Sequence, residues 1–415
     1  MREMKDSGIS WVGEIPKEWS VWRNKYIFKI TKDIVLPSKS YQLLSLTTTG
    51  IKEKDENDNG GKVPENYDGY QIVKENDLVM CLFDLDCSAV FSGLSPYNGM
   101  ISPAYKVLKV KKRIANEQYY RYWFNYVGSK RFYKQYSKSL RFTLNADEFN
   151  RLFSLLPSLV EQQRIAEFLD RECGKIDGLK ADIQAQIDTL EQYKRSVITE
   201  AVTHGLNPSV PMKDSGIPWV GQFPTHWTKK KGKYILRYMS KPVKQDDGVI
   251  TCFRDGEVTL RSNRREDGFT IADKEIGYQG VDVGDLVVHG MDGFAGAIGI
   301  SDSRGKASPV LNVLNTKQNK KYIMYYLRSM AYGEVFTALS TGIRVRSCDL
   351  RWNKLAELLY PLPPIDEQNN IVNYIDEQIA RTNEIIADKK MQIETLDGYK
   401  KSLIYEYVTG KKEVV

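Results

Sequence analysis

"MKDSGISWVGEIPKEW" at residues 4–19 recurs as "MKDSGIPWVGQFPTHW" at residues 212–227, and this duplicated stretch decides how the chain is organised. Eleven of the sixteen positions are identical, and the copies begin 208 residues apart in a chain of 415 residues. Self-similarity at a long, fixed period indicates that one structural unit occurs more than once. The sequence therefore predicts two copies of a common scaffold, each opening with this segment.

Further blocks repeat in the same order, at spacings of 206 to 208 residues. They include "GYQIVKENDLVM" (69–80) with "GYQGVDVGDLVV" (277–288), "LPSLVEQQRIAEFLD" (156–170) with "LPPIDEQNNIVNYID" (362–376), and "LEQYKRSVITEAVT" (190–203) with "LDGYKKSLIYEYVT" (396–409). Ordered matches at a nearly constant period indicate a tandem duplication that covers most of the chain.

The two copies diverge mainly in two stretches. "LLSLTTTGIKEKDENDNGGKVPENYD" (43–68) corresponds to "VITCFRDGEVTLRSNRREDGFTIADKEI" (249–276), and "SKSLRFTLNAD" (137–147) corresponds to "STGIRVRSCDLRWN" (340–353). Because the surrounding framework repeats, the two halves differ mainly in the segments that connect the repeated blocks. The pattern predicts one scaffold that presents two different reading surfaces.

Each half begins with a region of mixed secondary structure. Short β-branched and aromatic runs, such as "YQLLSLTT" (41–48) and "DLVVHG" (285–290), lie between glycine, asparagine and aspartate turns and predict strands. "NEQYYRYWFNYVGSKRFYKQYS" (116–137) and "NKKYIMYYLRSMAYGEVFTALS" (319–340) place aromatic residues at helical spacing, which predicts helices packed on a core. We therefore predict two α/β domains of the α+β class.

A long helix is predicted after each mixed region, because proline and acidic residues mark its start and none of residues 161–203 is proline. Apolar residues recur at steps of three and four, as in a coiled-coil seam. They are Ile165, Leu169, Ile176, Leu179, Ile183, Leu190, Tyr193 and Val197, and in the second copy Ile371, Ile375, Ile379, Ile386, Ile393, Leu396 and Leu403.

Two amphipathic helices in one chain are expected to pair antiparallel and to bury their seams against each other. This pairing predicts a pseudo-two-fold internal repeat, with residues 4–19 packed near Tyr405–Thr409. The predicted boundaries are 1–155 and 207–361 for the domains, and 156–206 and 362–415 for the helices that separate them.

Charge and cysteine content restrict the class of protein. A total of 60 Lys+Arg against 53 Asp+Glu gives a net charge of +7, and basic clusters such as "SKRFYKQYSKSLR" (129–141) contain aromatic residues, which favours a nucleic-acid partner. Five scattered cysteines without a C-x-x-C pair predict reduced thiols in the cytoplasm. No apolar run approaches the roughly 20 residues of a transmembrane helix.

No catalytic motif stands out. His204, His226 and His289 are too few and too separated for an obvious triad or zinc set. "GMDGFAGAIG" (290–299) lacks the G-x-G-x-x-G spacing, and "GISDSRGKAS" (299–308) departs from the phosphate-loop pattern. We predict a non-catalytic chain without a metal site.

The repeated motifs resemble those of the specificity (S) subunit of type I restriction–modification enzymes. The resemblance is carried by "MKDSGISWVGEIPKEW" and its copy, by the "LPSLVEQQ" and "LPPIDEQN" helix starts, and by "YKRSVITEAVT" and "YKKSLIYEYVT". It covers essentially the whole chain. The combination of the Trp-Val-Gly…Pro…Trp segment with Pro-x-x-x-Glu-Gln at each helix start is highly specific.

The resemblance implies a division of labour. Two target-recognition domains would each bind one half of a bipartite sequence in double-stranded DNA. The helices would act as a spacer and as the docking surface for two methyltransferase (M) subunits, with motor/endonuclease (R) subunits completing the restricting enzyme. S-adenosylmethionine, ATP and Mg would then be bound by those partner subunits, and no cofactor by this chain.

Candidate DNA-contacting residues are taken from the diverged stretches. Arginine suits guanine and asparagine suits adenine, whereas serine, threonine and lysine often contact phosphate. The candidates are Thr47, Thr48, Lys52, Lys138, Arg141 and Asn145 in the first domain, and Arg254, Arg261, Arg264, Arg265, Arg344 and Arg346 in the second.

Three other readings stay open on the sequence. One is a coiled-coil adaptor that does not bind DNA, and the diverged basic segments argue against it. Another is a nuclease or methyltransferase with unrecognised motifs. The last is a recognition module of a fused, type II-like system.

Overall fold

A computed structural model of the chain describes residues 2–35, 41–54, 67–264, 276–338 and 350–414. The chain folds into two compact units. Unit 1 comprises Met1–Ile183 with Met391–Val415, and unit 2 comprises Gln184–Lys390. Each unit therefore contains one mixed region and a segment of each long helix. The predicted domain boundaries stay a prediction, since this division cuts through both helices.

The strands of unit 1 are short, and in chain order they are β1 (Met4–Asp6), β2 (Glu14–Pro16), β3 (Ser20–Arg23), β4 (Phe28–Thr31), β5 (Leu44–Thr47), β6 (Gly50–Glu53), β7 (Gln71–Val73), β8 (Leu78–Met80), β9 (Ser92–Leu94), β10 (Gly99–Ile101), β11 (Lys106–Val110) and β12 (Phe153–Leu156). Four of them form an antiparallel sheet in the order β4-β11-β8-β9. The others pair as β1–β2, β3–β12, β5–β6 and β7–β10. The apolar run of β8 is fully buried, because this strand lies inside the sheet.

Unit 2 repeats this pattern with β13 (Met212–Asp214), β14 (Gln222–Pro224), β15 (Thr228–Lys231), β16 (Leu236–Tyr238), β17 (Ile250–Cys252), β18 (Val258–Leu260), β19 (Gln279–Val281), β20 (Leu286–His289), β21 (Ile298–Ile300), β22 (Gly305–Ala307), β23 (Leu311–Thr316) and β24 (Leu359–Leu362). Its four-stranded sheet has the order β16-β23-β20-β21, and β13–β14, β15–β24, β17–β18 and β19–β22 are pairs. The two mixed regions therefore share one topology, as the repeat predicts.

The helices are α1 (Asn24–Ile27), α2 (Glu117–Ser129), α3 (Ala146–Arg151), α4 (Leu159–His204), α5 (Lys320–Tyr332), α6 (Val335–Ala338), α7 (Trp352–Glu357) and α8 (Ile365–Val408). The aromatic helices are the equivalent elements α2 and α5, and each begins at an asparagine whose side chain accepts backbone N–H bonds, Asn116 and Asn319. Tyrosines of both helices are buried in the cores. The α+β class and the predicted helices are confirmed. Within the described ranges, no helix is both long and apolar enough to cross a membrane.

Both long helices end at a glycine-containing segment. α4 stops at His204 because Gly205 takes a left-handed conformation with φ of 79°. Gly410, just after α8, has φ of 70°, and a Cβ atom there would lie 2.4 Å from Cδ of Pro16. Glycine is therefore required at that position by both its conformation and its close packing.

The long helices pair antiparallel within each unit. In unit 1, Nζ of Lys400 lies 2.7 Å from the Asp177 carboxylate, and Lys180 pairs with Asp397. In unit 2, Nζ of Lys194 donates to Oδ1 of Asn383 at 2.8 Å. Lys389 of unit 2 also donates to Gln186. Within each unit, a later position on α4 therefore pairs with an earlier position on α8, which confirms the predicted antiparallel direction.

The predicted seam is wrong at Leu179 and Tyr193, whose side chains are 53% and 47% exposed. Lys180 and Lys194, one residue further along, occupy the seam positions, with only 26% and 18% of their side chains exposed. Lysine can cover a seam with its methylene chain while its amine bonds to the facing helix. An apolar pattern alone therefore points to the residue next to the one that lies in the seam.

Residues 4–19 pack near the end of α8, as predicted. Trp19, Ile15 and Val408 belong to the same buried cluster. Lys411 donates to the backbone oxygen of Glu14, and Nε of Arg2 lies 3.8 Å from Oε2 of Glu413. The opening segment of the first copy thus joins the second helix through space, within unit 1.

Candidate nucleic-acid interface

The repeated tryptophans bond to the start of each long helix. Nε1 of Trp19 donates to Oε2 of Glu161 at 2.9 Å, and Nε1 of Trp227 donates to Oε1 of Glu367 at 3.0 Å. Both indole rings are fully buried. Each glutamate lies in the first turn of its helix, where negative charge is favourable. The tryptophan of the opening motif therefore fastens that motif to the helix.

The glutamine after each glutamate ties a third element to the same point. Oε1 of Gln162 accepts from the backbone N–H of Asn116 at 2.8 Å, and its amide donates to Ile114 and Pro157 oxygens at 2.9 Å each. Gln368 accepts from Asn319 N–H at 3.0 Å in the equivalent way. Both glutamine side chains are fully buried. These bonds place the aromatic helix against the long helix in each unit.

The repeated motifs therefore have a structural role. The opening segment belongs to the repeated framework, in agreement with its near-identical copies in the sequence. His226 belongs to this framework, since its Nε2 lies 2.7 Å from Oε2 of Glu367. Among the described residues, no group of three or more His, Cys, Asp or Glu side chains could hold a metal ion. Surfaces that differ between the units consequently become the candidates for a specific function.

Three of the predicted arginines line one cleft in unit 2. Arg254 lies in the turn of the β17–β18 hairpin, and Arg261 and Arg264 follow β18 directly. They surround a cleft of 530 Å³ together with His289 and Asp292. The fold thus brings Arg254 next to Asp292, which lies 38 positions further along the chain. Several guanidinium groups around one concave surface suit the acceptor-rich edge of guanine or a phosphate.

Carboxylates hold two of these arginines in place. Arg264 contacts Asp255 at 2.6 Å and Glu257 at 3.0 Å, and its guanidinium lies 4.2 Å from the centroid of the Phe253 ring. These bonds raise the pKa of Arg264. Arg254 contacts Asp292 at 3.0 Å but keeps 59% of its side chain exposed. Arg254 has one carboxylate contact and a mostly exposed side chain, so it is a better candidate for contacting bases than Arg264, which has two carboxylate contacts.

His289 is a member of this cleft that the sequence did not single out. Its Nδ1 accepts from the backbone N–H groups of Met291 and Asp292 at 3.2 and 2.9 Å. Burial lowers the pKa of His289, so the ring is neutral at pH 7 and carries its proton on Nε2. A neutral imidazole with a fixed donor can bond to a base without adding charge. In the sequence, the only indication of a role for His289 is its position at the end of a predicted strand.

A charged network lies at the start of the β17–β18 hairpin. Arg304 bonds to both oxygens of Asp247, at 3.0 and 2.7 Å, and also contacts Asp282. Lys241 completes the network by contacting Asp282 and Asp285. The bond from Arg304 lowers the pKa of Asp247 to about 2. Asp247 lies three residues before β17, so the network fixes the base of the hairpin that carries Arg254.

Asp247→Asn is expected to reduce the free energy of unfolding at pH 7 by about 2 kcal/mol, because a bidentate charged bond is lost. The folded-state pKa of Asp247 lies below its unfolded value of 3.8. Its contribution is therefore complete above pH 4 and disappears as the pH falls towards 2. Urea unfolding at pH 7, 5 and 3 checks this: the difference between variant and wild type should shrink at pH 3. The exposed neighbour variant Asp246→Asn is the control, and an equal effect from it would contradict the prediction.

The candidates of unit 1 lie on two segments. Thr47, Thr48 and Lys52 lie on the β5–β6 hairpin, the equivalent of the arginine-bearing hairpin of unit 2. The Thr47 hydroxyl donates to the Gly50 oxygen at 2.7 Å, so it stabilises the turn. Thr48 and Lys52 are exposed. Of these three candidates, Thr48 and Lys52 are therefore the better placed to contact DNA.

Lys138, Arg141 and Asn145 lie on the segment between α2 and α3. Lys138 and Arg141 are exposed, and neither forms an ion pair with the residues that the structure describes. Asn145 caps α3, because its Oδ1 accepts from Glu148 N–H at 2.9 Å and Glu148 bonds back to its backbone N–H. The N-x-x-E spacing is a capping signal that the sequence contained. DNA contact by Asn145 stays a prediction, but one side-chain atom is already engaged.

The remaining candidates of the second domain, Arg265, Arg344 and Arg346, lie outside the described residues. Their proposed contacts with DNA stay predictions. Arg344 keeps its sequence correspondence with Arg141, since each follows an aliphatic residue at the same place in its repeat.

The chain is similar to proteins of type I restriction–modification systems, although no protein-family model matches it. A relative from Methanocaldococcus jannaschii, named as a type I restriction enzyme MjaX specificity subunit, is 22% identical over 441 aligned residues, which cover 97% of this chain and 96% of the relative. A solved structure, from work on complex assembly and conformational transition of the type I R-M system, has a TM-score of 0.68 at 13% identity and covers 96% of this chain and 99% of its own. The crystal structure of an HsdS subunit from Thermoanaerobacter tengcongensis has a TM-score of 0.49 at 12% identity, over 96% and 98% of the two chains.

The similarity at a TM-score of 0.68 shows a shared fold along nearly the full chain. The resemblance to type I specificity subunits, first indicated by the repeated motifs, is confirmed by the named relative. That relative is a specificity subunit rather than a catalytic one, which agrees with the expected non-catalytic role.

Proposed function

We propose that this chain is the DNA-specificity subunit of a type I restriction–modification complex. Each unit binds one half of a bipartite target in double-stranded DNA, and a fixed spacer separates the half-sites. The chain itself transfers no methyl group and cleaves no DNA. It directs two methyltransferase subunits, and the motor/endonuclease subunits that join them, to the target in the cytoplasm.

One observation carries this proposal: identical anchor contacts support different surfaces. The Trp–Glu and Gln–backbone bonds recur in both units, at Trp19 and Gln162 and again at Trp227 and Gln368. The equivalent hairpins differ, since one carries threonine and lysine and the other carries three arginines. A protein that reads two unrelated half-sites requires this combination of constant support and variable surface. An adaptor that only bridges partners does not.

The charged side chains of each surface match the chemistry of DNA. Guanidinium groups at a concave surface can form paired bonds to O6 and N7 of guanine, and exposed lysines can neutralise phosphates. S-adenosylmethionine, ATP and Mg are assigned to the partner subunits in this proposal.

Mapping N6-methyladenine in the genome of the host tests the proposal. The wild-type strain should show a methylated motif with two short half-sites and a constant gap, and a strain that lacks this gene should lose it. Restoring the gene should restore the motif. If deletion changes no methylated motif, or if the lost motif is continuous, the proposed function is wrong.

A further inference from the structure

Among the residues of unit 1 that the structure describes, Leu140 is the most exposed large apolar side chain, at 101% of its reference accessibility. It lies in the turn between Ser139 and Phe142, whose backbone oxygen and N–H are 3.1 Å apart. Turn positions of this kind are usually polar, and no feature of the turn requires a leucine. A fully exposed leucine at a turn is therefore a candidate for contact with a partner.

The turn that carries Leu140 is held rigidly. The Ser137 hydroxyl donates to the Thr143 oxygen at 2.9 Å, and the Thr143 N–H donates to the Ser139 hydroxyl at 2.7 Å. Phe142 adopts a left-handed φ of 44°, and Nζ of Lys134 lies 4.5 Å from the centroid of its ring. A side chain on such a turn is presented in a fixed direction rather than on a loose loop.

The base of the turn is also fastened to the sheet side of the unit. The backbone oxygens of Arg141 and Phe142 accept from the N–H groups of Asp84 and Leu85, at 3.1 and 3.2 Å. Leu144, just after the turn, is buried and bonds through its N–H to the Leu82 oxygen at 2.7 Å. Leu140 therefore projects from an anchored segment.

Cations flank this leucine on both sides. Lys138 and Arg141 are exposed, and among the described residues neither is engaged in an ion pair. The second repeat has the same order of residue types, with Ile343 followed by Arg344, although these two lie outside the described residues. An aliphatic residue beside an arginine thus occurs in both copies, inside segments that otherwise diverge.

We propose that Leu140 is a wedge that inserts between adjacent base pairs of the first half-site, while Lys138 and Arg141 bind the flanking phosphates. This inference rests on the proposed binding of DNA by unit 1. Proteins that insert leucine between base steps unstack and kink the duplex, and cations nearby offset the repulsion between phosphates. The wedge would give unit 1 a preference for base steps that unstack easily, without any hydrogen bond to a base.

The test uses the full chain in complex with its methyltransferase subunits, and a duplex that carries the mapped target. A 2-aminopurine is placed in turn at each position of the first half-site, and its fluorescence reports unstacking. Binding of the wild-type complex should raise the fluorescence at one step several-fold. Leu140→Ala should abolish that rise and weaken binding about tenfold. Leu140→Phe, which keeps an apolar wedge, should retain both.

Ile34→Ala is the matched control, because Ile34 is an exposed aliphatic residue of unit 1 that lies outside both the diverged stretches and the long helices. It should leave fluorescence and affinity unchanged. If Leu140→Ala leaves the fluorescence rise intact, the wedge is wrong. If Leu140→Ala instead weakens assembly with the methyltransferase subunits and leaves the DNA signal unchanged, Leu140 binds protein and the wedge is again wrong. Failure of the wild-type complex to bind the duplex at all would contradict the proposed function itself.

Discussion

Gln162→Leu is expected to lower the free energy of unfolding of unit 1 by about 4 kcal/mol. The amide of Gln162 bonds to three backbone groups, at distances from 2.8 to 2.9 Å, and its side chain is fully buried. Leucine has a similar volume, so packing is largely kept. The cost arises because one N–H and two oxygens lose their partner away from water. Urea unfolding followed by circular dichroism measures the loss.

Two further variants make this prediction specific. Gln368→Leu should have a similar effect in unit 2, because Gln368 occupies the equivalent position with the same bond to a helix N-cap. Gln163→Leu should change the free energy of unfolding by less than about 0.5 kcal/mol, because Gln163 is exposed and bonds only to Glu167. Hydrogen exchange should show loss of protection in α2 for Gln162→Leu and in α5 for Gln368→Leu. Equal effects from Gln162 and Gln163 would refute the anchoring role.

The double variant Arg254→Ala/Arg261→Ala is expected to weaken binding of the target about 100-fold or more, since each base-reading arginine contributes about 1–3 kcal/mol. The loss should concern one half-site only. Duplexes with substitutions in the second half-site should be bound equally by the variant and its parent, whereas substitutions in the first half-site should still weaken both. Fluorescence anisotropy with labelled duplexes, at one fixed salt concentration, provides the measurement.

Lys230→Ala/Arg237→Ala is the matched control for this variant. It removes the same charge from exposed positions of unit 2 that lie outside the cleft. A comparable loss of binding from the control would show that the arginine cleft acts only through net charge. Arg264 is left unchanged in both variants, because its contacts with Asp255, Glu257 and Phe253 also support the hairpin.

The repeat allowed most of the architecture to be predicted. Once two copies are recognised, every element of one must have a counterpart, and α4 and α8 begin and end close to where proline, acidic residues and glycine indicate. The packing of residues 4–19 against the end of α8 followed from symmetry alone, since the second copy of that segment follows α4 directly. Such inferences need only the order of the repeated segments along the chain, and that order is directly visible in the sequence.

The prediction of the helix seam is wrong where a side chain is both apolar along its length and charged at its tip. Lys194 was passed over in the seam because a charged residue was read as exposed, although its methylene groups are buried. Asn145 is a different case, because its amide suits adenine and also caps α3, so its contact with DNA stays a prediction. His289 was missed because its neighbours in the cleft, such as Arg254, come from a distant segment. Proximity between distant segments has no local signal in a single sequence.

The contact between Arg2 and Glu413 makes unit 1 a structure assembled from both ends of the polypeptide. The chain leaves unit 1 along α4, forms unit 2 and re-enters unit 1 along α8. One of the two equivalent joins is a covalent connection of eight residues, 204–211, and the other consists of non-covalent contacts, such as the bond from Lys411 to the backbone oxygen of Glu14. The covalent connection and the non-covalent contacts could therefore exchange places. A circular permutation that moves the second half of the gene ahead of the first would preserve the same set of native contacts, which is the expected property of a protein built by fusing two like halves.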